Sequence, residues 1–362
     1  MIKKFIITVC SLLTATLLMA QVSKEVTTTA PNTLKTQLPM PVWGTITNLK
    51  INGPLGEGDI LFLSNVAKAT STLSELDMSN ATDLMLIGKN SFNGLKSLKS
   101  ISLPASVNTI EEKAFMDCSN LSTVNLPAAG LTTIGNRAFA NDTLISSLTL
   151  PATLGSIDPV AFNGCSHLYE FSVAAGSSYL SAIGGVLYTK EDQTLVCYPM
   201  ARTEENYSIP EGTVHIGENA FSDCKALKMI EMPASVKTIG KKSFENCSGL
   251  SNMIVGDNVT TIGDYAFSGC KGLTAVVLSY RLKTLGDGVF LNCCNITSLR
   301  CEGSIPATYS SLVNPFFSDD PTICSIKPDL CVLSVPNTGL AKYKTAEGWK
   351  SFTNIEGFQV GK

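Results

Sequence analysis

The sequence predicts an α/β solenoid: short strands stacked coil upon coil, one helical turn per repeat, and one β-hairpin inserted in the array. Two observations carry this. Eight phenylalanines (Phe92, Phe115, Phe139, Phe162, Phe221, Phe244, Phe267 and Phe290) stand 23, 24, 23, 59, 23, 23 and 23 residues apart. A fixed period in the twenties marks an array in which each unit packs only on its neighbours. The same frame of side chains also returns around each Phe.

Five residues before the Phe sits an aliphatic residue, usually followed by Gly: Ile134-Gly135, Ile216-Gly217, Ile239-Gly240, Ile262-Gly263 and Leu285-Gly286. The glycine is read as permitting a tight turn. A small residue, such as Ala114, Ala138 or Ala266, precedes the Phe. Three residues after it comes Cys118, Cys165, Cys224, Cys247, Cys270 or Cys293. The Gly-x-x-Ala-Phe-x-x-Cys stretch is too brief for a full helix and reads as one helical or 3₁₀ turn. Next comes an alternating run, such as Leu121, Val124, Leu126 or Leu273, Val276, Leu278. That is the period-2 signal of a strand buried on one face. A Pro often closes the run (Pro104, Pro127, Pro151, Pro210, Pro233) and suits a strand end, since it cannot donate to a ladder. One such unit buries too little to offset the ordering of its backbone, so only the stack can fold.

Leu-x-x-Val-x-Leu-Pro followed by Ile-Gly-x-x-Ala-Phe-x-x-Cys resembles the 23-residue leucine-rich repeat of BspA-like bacterial surface proteins, over about residues 88–301. The segment from Gly184-Gly185 to Tyr198-Pro199 is similar to an insertion in these proteins. Val335-Pro336 through Trp349 is similar to their usual C-terminal end. The resemblance implies a leucine-rich-repeat solenoid, a right-handed β-α superhelix, and a role in adhesion to host extracellular proteins.

Residues 1–20 read as a secretory signal peptide: Lys3 and Lys4, an apolar run from Phe5 to Met19, and the small residue Ala20. No second apolar span follows, so no integral membrane span is expected after cleavage. Residues 21–41 read as a flexible leader, 42–88 as N-terminal capping repeats, 89–301 as the array and 302–362 as a C-terminal cap. The insertion, about 177–206, holds two strand-like runs, Val186 to Thr189 and Leu195 to Tyr198, and reads as a hairpin. The net charge is −3 with 16% charged residues, which gives no basic stripe for nucleic acid.

Twelve cysteines in a secreted chain suggest a disulfide framework. Six of them share one repeat position, however, and equivalent parallel side chains point the wrong way to bridge. The column is therefore read as reduced and buried, with Leu95 and Asp142 replacing Cys in two repeats. Asp142 is expected to turn outward or to bond loop amides. Away from the column, Cys301–Cys331 or Cys324–Cys331 is the candidate bridge.

The sequence marks no catalytic, cofactor or metal residue. His167 and His215 fall at variable positions without a nucleophile or orienting partner. The cysteines lack paired zinc spacing. Asp257, Asp264 and Asp287, each following Gly, read as turn residues rather than calcium ligands.

The outward position of successive rungs reads Ser102, Asn125, Thr149, Ser172, Ser208, Glu231, Ile254, Val277, Arg300. The first half is a lawn of Ser, Thr and Asn. The second half carries an apolar strip, Ile254 and Val277, bordered by Met229, Glu231, Tyr280 and Arg300. An exposed apolar patch with a polar rim is a usual sign of a protein contact; cover by a cap or by the hairpin is the plainer reading. A second candidate is Tyr169 with His167 and Glu170, suited to a glycan or peptide. The expected function is a non-enzymatic binding protein, secreted to the cell surface or periplasm, that adheres to a host or cell-surface protein. The alternative is a periplasmic or surface scaffold assisting glycan or nutrient handling.

Overall fold

The structure, a computed structural model, describes residues 21–38, 40–309, 312–320 and 322–360. The expected signal peptide, with Cys10, lies outside the described residues. The chain forms a β-solenoid of about 14 turns. Each regular coil lays down a longer strand, such as Ser100–Ser102 or Ala275–Leu278, and a two-residue strand, such as Thr109–Ile110 or Thr284–Leu285. Longer strands pair in parallel with longer strands and short with short, in register one repeat apart: Val276 with Leu299, Ile239 with Ile262.

The third side of each coil is the Ala-Phe-x-x-Cys segment. It is not a helical turn. Two left-handed residues fall in most copies, Lys113 and Asp117 in one, Lys242 and Asn246 in another. A helix cannot pass through such residues. The Phe amide instead bonds across to the next coil: Phe115 N to Ala138 O at 2.8 Å, Phe244 N to Ala266 O at 2.7 Å. This side therefore also runs as a ladder between coils. Among the described residues helix occurs only outside the array, at Leu34–Gln37, Met40–Trp43, Glu57–Thr70, Leu340–Tyr343 and the 3₁₀ turn Trp349–Ser351. The α/β class, the helical turn per repeat and the β-α superhelix expected from sequence are corrected to a β-solenoid.

The recurrent glycine has a different cause from the one expected. Gly135, Gly217, Gly240, Gly263 and Gly286 do not have positive φ. A Cβ on Gly286 would lie 2.3 Å from the Asp264 amide nitrogen, and one on Gly263 2.6 Å from that of Lys241. These residues are Gly because the neighbouring coil's backbone occupies the space of a side chain.

The phenylalanines stack face to face through the core. Centroids are 5.4 Å apart for Phe92–Phe115, 5.2 Å for Phe115–Phe139 and 5.1 Å for Phe244–Phe267. Phe316 extends the column beyond Phe290, and Trp349 and Phe352 close it. Beside the rings runs the cysteine column, buried and free as expected. The thiols also donate to the aromatic residue's carbonyl in the preceding coil: Cys118 to Phe92 at 3.0 Å, Cys247 to Phe221 at 2.9 Å, Cys293 to Phe267 at 2.9 Å, and Cys224 to Tyr198 at 3.8 Å. Burial pushes the thiols of Cys165, Cys224 and Cys270 well above the usual range. Asp142 does not turn outward. It is fully buried, and its Oδ1 accepts the Cys118 amide at 2.8 Å.

Residues 21–38 are folded onto the first coils where a flexible leader was expected over 21–41. Ser23–Thr27 pairs with Asn48–Pro54 as the first long strand, and Leu34 and Leu38 are buried. The carboxylate of Asp59, at the start of helix Glu57–Thr70, accepts the amides of Asn32, Leu34 and Gly56. This polar anchor has no periodic signature. At the other end a last strand, Asn354–Phe358, follows Trp349 and pairs with Val332–Pro336.

The inserted hairpin is three-stranded: Leu180–Ile183, Val186–Thr189 and Thr194–Cys197 run antiparallel. Thr194–Cys197 then starts the short-strand ladder of the second half by pairing with His215–Ile216. Tyr198 takes the place of the missing Phe, its amide on Ala220 O at 2.7 Å and its ring 5.1 Å from Phe221.

Neither expected disulfide forms. The bridge is Cys294–Cys324, while Cys301 and Cys331 are buried free thiols. Cys294 follows the column residue Cys293, so it turns away from the core and reaches the loop ahead of the C-terminal strand.

Candidate functional site

The longer strands build one broad outer surface, and alternate residues on it point to solvent. In its first half neighbouring rungs join through polar side chains: Asn125 Nδ2 donates to Ser102 Oγ at 2.9 Å, and Thr149 and Ser172 hydroxyls meet at 2.8 Å. Ser208 bonds the Glu231 carboxylate.

Beyond Glu231 the character changes. Ile254, Val277, Arg300 and Ser334 stand in register on four adjacent strands. Ile254 is 65% exposed and Val277 half-buried. Met229, 46% exposed, lies diagonally across from Ile254 on the preceding strand. Tyr280, 49% exposed, sits at the corner after Ala275–Leu278. Neither the hairpin nor the C-terminal segment covers these four side chains.

The polar members of the candidate set are engaged. Arg300 lies over the Phe358 ring, 3.7 Å from its centroid, and its Nε donates to Glu302. Arg281 lies over Tyr280 and donates from Nε to the phenol oxygen at 2.8 Å. The structure thus leaves Met229, Ile254, Val277 and Tyr280 as an apolar run framed by Glu231 and Arg300. Sequence reasoning missed Ile305, 67% exposed, which lines with Tyr280, Leu282 and Pro306 a cleft of about 570 Å³. Ile305 lies past the regular repeats, so no rung comparison could reveal it.

The second candidate sits beside the hairpin. Tyr169, His167 and Glu170 are exposed. The Arg202 guanidinium stands between the rings of Tyr169 and Tyr198, at 5.5 and 5.4 Å, and pairs with Glu204 at 2.9 Å. The Tyr169 hydroxyl reaches Glu204 at 3.4 Å. His167 Nδ1 meets its neighbour Ser166 at 3.4 Å. Arg202 and Glu204, absent from the sequence reading, organise this corner as a packed ion pair. His215 is half-buried and bonds Thr238 at 2.7 Å.

Among the described residues no cluster of three His, Cys, Asp or Glu could hold a metal. Asp264 Oδ1 caps the Asp287 amide at 2.9 Å, a turn contact between coils. No helix among the described residues is long and apolar enough to cross a membrane.

The family model of the BspA type leucine rich repeat region matches residues 69–184 and 197–322 in six copies. The chain belongs to the BspA-type leucine-rich-repeat family. Solved structures with the same fold include a leucine rich cell surface protein of Faecalibacterium prausnitzii, with 22% identity, TM-score 0.52, 72% of this chain and 80% of the other covered. The pneumococcal vaccine antigen PcpA shows 19% identity, TM-score 0.56, 93% and 79% covered. A leucine-rich repeat protein from Eubacterium ventriosum shows 18% identity, TM-score 0.54, 80% and 88% covered. The curated proteins contain no match. BspA-type membership suggests a protein-binding or adhesion role, and surface proteins of this kind are typically non-enzymatic.

Proposed function

We propose that this chain is a secreted, cell-surface binding protein without enzymatic activity, and that it docks a host extracellular or cell-surface protein on the strip formed by Met229, Ile254, Val277 and Tyr280. The observation that carries the reading is Ile254. An isoleucine 65% exposed on the first strand of a five-stranded sheet, with Val277 in register beside it and Met229 diagonally across, contributes nothing to the core. Buried under a partner, such a side chain is worth about 1.5–3 kcal/mol. The polar frame of Glu231 and Arg300 supplies the rim expected of a protein contact. The partly exposed Cys294–Cys324 bridge supports an oxidising location, as a signal peptide at 1–20 requires. Titratable residues of the strip do not assemble a nucleophile, base and orienting group, which supports a binding role.

The test is retention of the purified chain, residues 21–362, on immobilised host matrix proteins and glycans. Saturable binding to a protein is expected. Binding to glycans alone, or to nothing, would favour a scaffold and contradict the proposal.

A further inference from the structure

The long-strand sheet is interrupted between Thr123–Asn125 and Ser147–Leu150, which belong to different sheets although they are consecutive rungs. Their Cα atoms stand mostly more than 8 Å apart, against a ladder step of about 4.8 Å. On the other two sides the same coils remain joined: Ile110 pairs with Ile134, and Phe115 stacks on Phe139 at 5.2 Å. The opening is therefore a wedge on one side of an intact stack. Its origin is legible in the sequence. Phe115 and Phe139 are 24 residues apart, not 23, and the extra residue falls in Ala128-Ala129-Gly130, just after the first strand. Gly130 takes positive φ there, pressed against the Ala105 carbonyl.

Both edges of the wedge present main-chain groups. Thr123 N bonds Lys99 O, and Asn125 O accepts Leu103 N, so these residues face the preceding coil. By the alternation of a parallel strand, the N–H and C=O of Val124 and the N–H of Leu126 face the gap. Across it, Ser146 O and Leu150 O bond the following coil, which turns the main-chain groups of Ser147 and Thr149 into the gap. The floor is apolar. Val124 and Leu126 are half-exposed, whereas their counterparts Ile101, Leu103, Leu148 and Leu150 are buried. The rim carries the hydroxyls of Ser122, Thr123, Ser147 and Thr149 around a groove of about 540 Å³.

The geometry points to a second binding site, independent of the C-terminal strip: the wedge accepts an extended peptide segment of a partner protein as an intercalated parallel strand. An inserted strand needs two ladder steps, about 9.6 Å, and pairs with an edge on each side. Two facing edges with complementary donors and acceptors, over a floor of exposed core side chains, select a short peptide with aliphatic residues at alternate positions. Charge plays no part, since no charged residue lines the groove.

The test uses a synthetic peptide with the sequence of residues 98–104, a regular rung of this same chain, labelled for fluorescence anisotropy. Saturable binding is expected, with the Val124, Leu126, Ser147 and Thr149 amides exchanging fast in the free protein and slowly in the complex. The same peptide N-methylated at its three central amides should bind at least about tenfold more weakly, because it cannot donate to either edge. Deleting Ala129 restores the 23-residue spacing, and a folded deletion variant should pair the two strands and lose the peptide. Slow exchange of those four amides in the free protein would overturn the proposal. So would no binding, or equal binding of the N-methylated peptide. That comparison stands even if the deletion variant fails to fold.

Discussion

Replacing Asp142 by Asn should stabilise this protein at neutral pH and leave it unchanged in acid. Asp142 occupies a cysteine position in the core column. It is 0% exposed, and its Oδ2 has no hydrogen-bond partner among the described residues. Burial pushes its carboxyl up to about 9, opposed by the bond from the Cys118 amide and reinforced by the charge of Asp117. The folded pKa lies above the unfolded value of 3.8, so between the two the folded state holds a proton that the unfolded state releases. Folding then binds a proton, and stability falls as pH rises through that window, by at most about 1.4 kcal/mol per pH unit. At pH 7 the window has been crossed by about three units, which sets a ceiling near 4 kcal/mol. Asn is neutral at every pH, has the same shape, and keeps an oxygen for Cys118. Urea unfolding of both proteins at pH 4.5, 6, 7.5 and 9 measures the difference and cancels all other titrations. The variant should exceed the wild type by no more than about 1 kcal/mol near pH 4.5 and by about 2–4 kcal/mol near pH 7.5. A difference that stays flat with pH, or a less stable Asn variant at pH 7.5, would refute the buried protonated acid.

Other consequences follow from the packing. Alkylation of the denatured, unreduced chain 21–362 should modify the nine free thiols and spare Cys294 and Cys324, and mass spectrometry showing eleven modified thiols would exclude the bridge. Cys294→Ser with Cys324→Ser should cost about 3 kcal/mol by removing the constraint on a 30-residue separation, read as earlier loss of C-terminal structure in denaturant. Phe244→Ala removes a buried ring stacked 4.9 and 5.1 Å from its neighbours and should cost about 3–5 kcal/mol in urea unfolding; a cost under 1 kcal/mol would show that the column is not structural. Gly286→Ala forces a Cβ onto the Asp264 backbone and should lower the Tm, whereas Gly176→Ala, with open space at its Cβ and a positive φ, should pay only backbone strain.

The period of the phenylalanines made the coil legible because each coil repeats one packing problem. Phe, Cys and the aliphatic positions meet the same neighbours in every rung, so composition and spacing report the core directly. The backbone between them is less legible. The Ala-Phe-x-x-Cys segment has helix-compatible residues, and only the left-handed conformation at Lys113 or Lys242, imposed by bonding to the next coil, makes it a ladder. Gly263 and Gly286 look like turn glycines in sequence, and the close approach of the adjacent coil appears only in three dimensions. The folded segment 21–38 has no signature in the sequence because its anchor is one buried carboxylate, Asp59, not a periodic pattern. Cys294 was masked by its neighbour in the column. At the candidate surface the alternation placed Ile254 and Val277 outward and side by side, since strand register follows the period. It could not show Arg300 folded onto Phe358, because the final strand lies outside the repeats.

The strip around Ile254 is proposed as a docking surface. The most direct measurement is the affinity of the chain for a captured host protein, compared with that of Ile254→Asp combined with Val277→Asp. Ile254 is mostly exposed and Val277 half-buried, so the double variant should keep its fold, which its melting curve checks. Two apolar anchors replaced by charges should weaken binding by more than about tenfold. Full affinity in a folded double variant would contradict the account.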